Sequence, residues 1–224
     1  MRRFLFENGL SIFFFGLFLL ALGGQSYAGY LTFNEDAQGH GSETYSYGRY
    51  LLSSHFGQAV LENWQSEYLQ FALFIFATIW LVQKGSNESK QLDRVGRESI
   101  KEQRLGGYAQ AGSPLWAKVG GWRTVLYSNS LILVMALLFF GSWAGQSVTG
   151  WSELNREQQE HGESEVSYLG YLAGPDFWED TLQNWQSEFL AVGTMAVFTI
   201  YLRQRGSPES KPVGAPHGET ASSG

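Results

Sequence analysis

Four apolar stretches divide the chain, and they come in two pairs. Residues 8–34 and 124–152 contain no Asp, Glu, Lys, Arg or His. Residues 68–83 and 189–202 are also free of charge but shorter. A bilayer's hydrocarbon core is about 30 Å thick and takes about 20 residues of helix. The two long stretches therefore predict spans at about 8–29 and 127–150. The two short ones reach that length only by including the polar residues before them. Counted back by about 20 residues from Gln83 and from Leu202, they predict spans at about 62–83 and 183–203. The pattern reads as an all-α membrane protein with four transmembrane helices.

The two halves repeat. Residues 2–90 lie over 123–211 without a gap, and 35 of the 89 pairs are identical. Shared positions include Asn8/Asn129, Gly24-Gln25-Ser26/Gly145-Gln146-Ser147, His40-Gly41/His161-Gly162 and Ser46-Tyr47/Ser167-Tyr168. The longest is Asn63-Trp64-Gln65-Ser66-Glu67, which returns as Asn184-Trp185-Gln186-Ser187-Glu188. Each unit is a helical hairpin, 1–91 and 122–212, with a connector at 92–121 and a tail at 213–224. An even number of spans gives both hairpins the same orientation, so the tandem repeats imply a pseudo-twofold along the membrane normal. The duplication also bears on the first stretch. Arg2, Arg3 and the small residues Ser26-Tyr27-Ala28 have the look of a cleaved leader. Its counterpart, with the same Gly-Gln-Ser, lies inside the chain, so both are read as spans.

Charge sets the direction. Of 15 Lys and Arg, 13 lie in residues 2–3, in 84–123 and from Arg203 onward; only Arg49 and Arg156 fall between paired helices. By the positive-inside rule the termini and connector are cytoplasmic, and segments 30–62 and 151–183 face outward from a bacterial inner membrane. Counted with Glu67 and Glu188, those outer segments carry 14 of the 21 acidic residues. Such a surface is solvated and draws cations diffusely. The basic connector is explained by topology and lipid headgroups, and nucleic acid is not an expected partner. Its charge and Gly/Ser content predict a flexible tether with at most one short helix, and the tail reads as disordered. The absence of cysteine excludes disulfides, thiolate metal sites and thiol nucleophiles.

Each hairpin carries local signals. The long helices should continue to His40-Gly41 and His161-Gly162, a glycine C-cap preceded by a histidine that suits the helix dipole. The alternative for His40 and His161, metal ligation, is the weaker reading, since no second histidine stands at ligand spacing beside either. Ser46 and Ser167 read as N-caps of short amphipathic helices, and Gly174-Pro175-Asp176 as a helix start.

The candidate chemistry is a polar layer inside apolar helices. It comprises Gln25, Ser26, Asn63, Trp64, Gln65, Ser66 and Glu67, with their equivalents Gln146, Ser147, Asn184, Trp185, Gln186, Ser187 and Glu188. Tryptophans are expected as interfacial anchors, serines and glycines as sites of close helix approach, and amides as hydrogen-bond clamps between helices. The glutamates read either as structural carboxylates or as a cation or proton site, because ionisable residues are costly in spanning helices.

These motifs, with Arg-Arg-Phe-Leu-x-Glu-Asn-Gly-Leu-Ser at 2–11, resemble an uncharacterised bacterial membrane protein family known only as a domain of unknown function. The resemblance covers both repeats, implies the inner membrane and brings no activity. Three functions remain in view. The first is a structural or accessory membrane protein whose partners are the bilayer and another membrane protein or a second copy. The second is a small cation- or proton-linked channel or transporter using Glu67 and Glu188. The third is an enzyme with a site on the outer face, for which no nucleophile stands out. Neither a cofactor nor catalytic residues are expected.

Overall fold

The computed structural model describes residues 2–221; Met1 and residues 222–224, the end of the predicted disordered tail, lie outside the described residues. All regular structure among these is helical. In chain order it runs α1 (Arg2–Glu7), α2 (Gly9–Gly39), α3 (Tyr47–Leu51), α4 (Ser54–Ala77), α5 (Leu115–Lys118), α6 (Gly121–Ser128), α7 (Ser130–Glu160), α8 (Tyr168–Ala173) and α9 (Pro175–Tyr201). A 3-10 turn sits at Gly106–Tyr108. Helices α2 and α7 are long and apolar enough to cross a membrane.

Equivalent residues shape both copies. Asn8 and Asn129 separate α1 from α2 and α6 from α7; each side-chain amide donates to the carbonyl four residues back, Phe4 at 2.9 Å and Val125 at 2.7 Å. That local bond competes with the helical ladder and marks the break. The long helices run past the apolar stretch to His40 and His161, where Gly41 and Gly162 each take φ of 71°, the left-handed cap that glycine permits. The Ser46 and Ser167 hydroxyls cap α3 and α8, accepting from the backbone N–H of Arg49 and Gly170. Helix α9 opens at Pro175, whose fixed φ suits a first turn.

Helix α4 departs from the expected 62–83. It starts earlier, at Ser54, and stops at Ala77. The Thr78 hydroxyl donates to the carbonyls of Phe74 (2.8 Å) and Ile75 (3.2 Å), and the chain leaves the helix in turns. Even so, both Asn-Trp-Gln-Ser-Glu motifs lie inside unbroken helix, in α4 and α9.

The chain forms two compact units. One comprises the chain up to Leu61 together with Gly145–Phe177. Its core holds Phe33, Tyr50, Tyr171 and Phe177. Each of the two tyrosines seats its hydroxyl over a glycine of the preceding long helix: a Cβ on Gly29 would lie 2.2 Å from the Tyr50 hydroxyl, and one on Gly150 2.2 Å from that of Tyr171. Gly150→Ala is therefore expected to destabilise by about 1–3 kcal/mol, the usual effect of overpacking. A thermal midpoint in detergent unchanged from wild type would contradict this packing.

The other unit comprises Glu62–Ala144 and the chain from Trp178 onward. Phe139 stacks on Trp143 at 5.6 Å and meets Trp185 at 6.2 Å. The tail differs from its expected disorder, because Lys211 pins it. The ammonium is buried, and its three protons are shared among four carbonyls, those of Gly85 (2.7 Å), Pro216 (3.2 Å), His217 (3.0 Å) and Glu219 (3.0 Å). Further bonds run from the Gly85 N–H to the Thr220 hydroxyl (2.8 Å) and from the Ala221 N–H to the Ser86 carbonyl (3.1 Å). In the first copy the equivalent Lys90 donates to the Gly96 carbonyl and the Glu98 carboxylate, and so folds the start of the connector.

Candidate functional site

The densest polar chemistry lies where α4 begins, in the first of these units. Glu153 of α7 is almost buried, its side chain 6 % exposed. Its carboxylate accepts from the Ser54 hydroxyl at 3.0 Å, His55 Nδ1 at 2.8 Å, and Arg156 Nη2 and Nε at 2.6 and 3.2 Å. Arg156 also donates to Glu160, and its guanidinium lies 5.1 Å from the Phe33 ring centre. The spacing is helical: Glu153, Arg156 and Glu160 stand three and four residues apart on one face. The His55 ring packs against Phe33 and Tyr50.

Electrostatics follow from that geometry. Burial alone pushes the Glu153 carboxyl up, but the hydrogen bonds from His55 and Arg156, with the Arg156 charge, outweigh it and hold it down at about 2. Arg156 is driven above its ordinary value, first by its hydrogen bond to Glu153. Glu157 is pushed up by burial and by the Glu153 charge. The cluster is thus an ion pair that stays charged at neutral pH. Beside it lies a cavity of about 380 Å³ lined by residues that include Phe33, Tyr45, Arg49, Ser54, Glu153 and Arg156. Arg49 and Arg156, the two basic residues between paired helices, both face it.

The residues of the predicted polar layer divide between the two units. In the first unit the Ser26 and Ser147 hydroxyls bond the Tyr47 and Tyr168 hydroxyls, each at 2.7 Å. Gln25 is exposed, whereas its equivalent Gln146 is fully buried, with neither amide atom hydrogen-bonded among the described residues. In the second unit Gln65 is fully buried and its carbonyl accepts from Trp185 Nε1 at 2.8 Å. Asn184 donates to Glu62 at 2.5 Å, and Gln70 donates to the Glu188 backbone carbonyl at 3.2 Å. Ser66 is buried and Ser187 exposed; each hydroxyl turns back onto the asparagine carbonyl three residues earlier. Asn63, Trp64, Glu67 and Gln186 are exposed, and Glu188 is half-buried.

His40 and His161 sit with ring centroids 6.3 Å apart. Each Nδ1 donates to the carbonyl four residues back, Asp36 or Glu157, at 2.9 Å. Both rings thus act in the last helical turn, and among the described residues no group of three potential metal ligands forms.

The ionic cluster escaped the sequence reading because that reading followed identity between copies. Glu153 stands over Thr32, His55 over Asp176, and Arg156 over Glu35. Positions where duplicated halves differ in charge were the available signal.

The family model described as Domain of unknown function (DUF6766) matches residues 1–222, so the chain belongs to that family. No curated protein and no solved structure matches it.

Proposed function

We propose that this DUF6766 protein is a four-span protein of the bacterial inner membrane with a structural or accessory role, and not an enzyme. Helices α4 and α9 join α2 and α7 as spans. At 24 and 27 residues they are about 36 and 40 Å long at 1.5 Å rise, longer than a hydrocarbon core of about 30 Å. The two hairpins then share one orientation, with the connector and termini cytoplasmic and the acidic segments outside.

The observation that carries the role is the use made of the polar residues. Ser26, Gln65, Ser66, Ser147 and Trp185 engage other groups of the protein, as clamps between and within helices, and the cavity described above is lined by other residues. A transport path would keep such groups open to water and ions.

The cysteine-free chain makes the reading testable with a membrane-impermeant maleimide. Glu163→Cys is expected to label in intact cells, Lys101→Cys in inverted vesicles alone, and Ser66→Cys from neither side while the protein is folded. Labelling of Lys101→Cys in intact cells would overturn the topology. Labelling of Ser66→Cys from outside, blocked by added cations or protons, would transfer the polar layer to a cation- or proton-linked channel using Glu67 and Glu188.

A further inference from the structure

Part of the connector is tied down within the second unit. The Gly96 N–H donates to the Ile79 carbonyl at 2.7 Å, just past the end of α4. The Thr124 hydroxyl donates to the Trp116 carbonyl at 2.5 Å and joins α6 to α5. Ile79 and Thr124 both line a cavity of about 680 Å³. Much of its wall is apolar: Ile100, Leu105, Tyr108 and Val125 contribute to it. Ile100 and Val125 are each 64 % exposed and Tyr108 51 %. Water is a poor solvent for such a wall, so an apolar group is expected to cover it.

Arg97 lines the same cavity. Among the described residues its guanidinium forms no hydrogen bond or ion pair, and it stands 5.9 Å from the centre of the Trp80 ring. The Glu98 carboxylate in the wall is already taken by Lys90 and Gln103. A planar fork of five N–H donors suits phosphate oxygens, and unlike a lysine it offers them in pairs. The surrounding charge has the same sign, since residues 84–123 hold eight Lys and Arg against four Asp and Glu. Trp80 and Trp122, next in the chain to wall residues Ile79 and Gly121, are exposed. Tryptophans in a membrane protein concentrate at the depth of the headgroups.

We propose that this cavity binds one anionic phospholipid of the cytoplasmic leaflet, with its phosphate on Arg97 and an acyl chain along Ile79, Ile100, Tyr108 and Val125. A free phosphate would leave the apolar wall bare, and a zwitterionic lipid would bring a cation against a basic connector. The connector then does more than join the hairpins: it selects the lipid at their cytoplasmic end. The inference rests on the topology proposed above and deepens it by naming a lipid class and its site.

Native mass spectrometry of the full chain, delipidated in detergent, tests it. Phosphatidylglycerol and phosphatidylcholine with matched acyl chains are added at equal concentration. One phosphatidylglycerol per chain is expected to be held about fivefold more tightly, the effect of one basic residue on an anionic lipid. Arg97→Gln should weaken phosphatidylglycerol about tenfold, as the loss of one charge-assisted hydrogen bond does, and remove the preference. Gly107→Trp keeps Arg97 but fills the cavity, where a Cβ on Gly107 meets open space, and should weaken both lipids. Both positions are exposed. Excess glycerol 1-phosphate should displace neither lipid. Equal retention of the two lipids would overturn the proposal, as would retention unchanged in Arg97→Gln or in Gly107→Trp. Displacement by glycerol 1-phosphate would overturn it too, leaving a site for a free anion. Binding in detergent does not depend on which side of the membrane the connector faces, so this test and the Lys101→Cys labelling fail separately.

Discussion

Glu153→Gln is expected to lower the folding stability of its unit by about 3 kcal/mol at pH 7. The carboxyl is held at about 2 in the folded chain, against an ordinary 4.5. Each pKa unit corresponds to 1.36 kcal/mol, so a shift of that size is worth about 3 kcal/mol. The sign follows from the depression. The ionised form is favoured in the folded chain, so the contribution is complete above the unfolded value. It is lost as pH falls through the window from about 4.5 down to about 2. Thermal unfolding of wild type and variant in detergent, followed by tryptophan fluorescence, should show a gap at pH 7 that narrows towards pH 3. A gap that is absent at pH 7, or does not change with pH, would remove the ion pair from the stability of this unit. Removal of one partner also leaves Arg156 half-buried beside a neutral group. A Glu153→Leu, Arg156→Leu double variant should therefore lose less than Glu153→Leu alone.

Lys211→Met is expected to loosen the tail. The substitution keeps an apolar stem in the buried slot but removes the ammonium that four carbonyls share. Hydrogen bonds to charged groups are worth about 1.5–3 kcal/mol each; the other ties on residues 213–221 include Arg203 on the Ala215 carbonyl (3.0 Å), the His217 ring on the Ile200 carbonyl (3.0 Å) and the bonds at Thr220 and Ala221. Hydrogen exchange should accelerate at the amides of Gly85 and Ala221, which bond the Thr220 hydroxyl and the Ser86 carbonyl. Trypsin should also cut after Arg205 in the variant under conditions where the wild type resists. Unchanged exchange and cleavage would mean that the tail is held by something other than Lys211.

The contrast between Lys211 and the expected disorder shows where reading residues in order stops. Pro, Gly, Ser and charge make residues 206–221 look like solvated chain, because composition counts what a segment can bury by itself. Lys211 is satisfied by the nearby carbonyls of Pro216, His217 and Glu219 and by that of Gly85, 126 residues away, and an acceptor so distant, which ties the turn to the rest of its unit, leaves no trace in local composition. The same holds at Glu153. Its partners Ser54 and His55 lie about a hundred residues away in the chain, and none of the three is shared between copies. The NWQSE motif was visible twice, yet identical residues met different fates. Gln65 is enclosed and bonded by Trp185, while Gln186 is exposed.

What the sequence determined by itself is local and periodic. Asn8 and Asn129 break helices, Gly41 and Gly162 end them, Ser46, Ser167 and Pro175 start them, and uncharged runs make α2 and α7 apolar over the length of a span. Each of these follows from backbone dihedrals, a neighbouring hydrogen bond or the length of an apolar run, all of which act over a few residues. The tertiary structure alone decided which copy of each polar residue is enclosed. It also chose Glu153 as the ionic centre and gave the tail its ammonium anchor. Those outcomes depend on which helix faces which, and that pairing joins residues far apart in the chain.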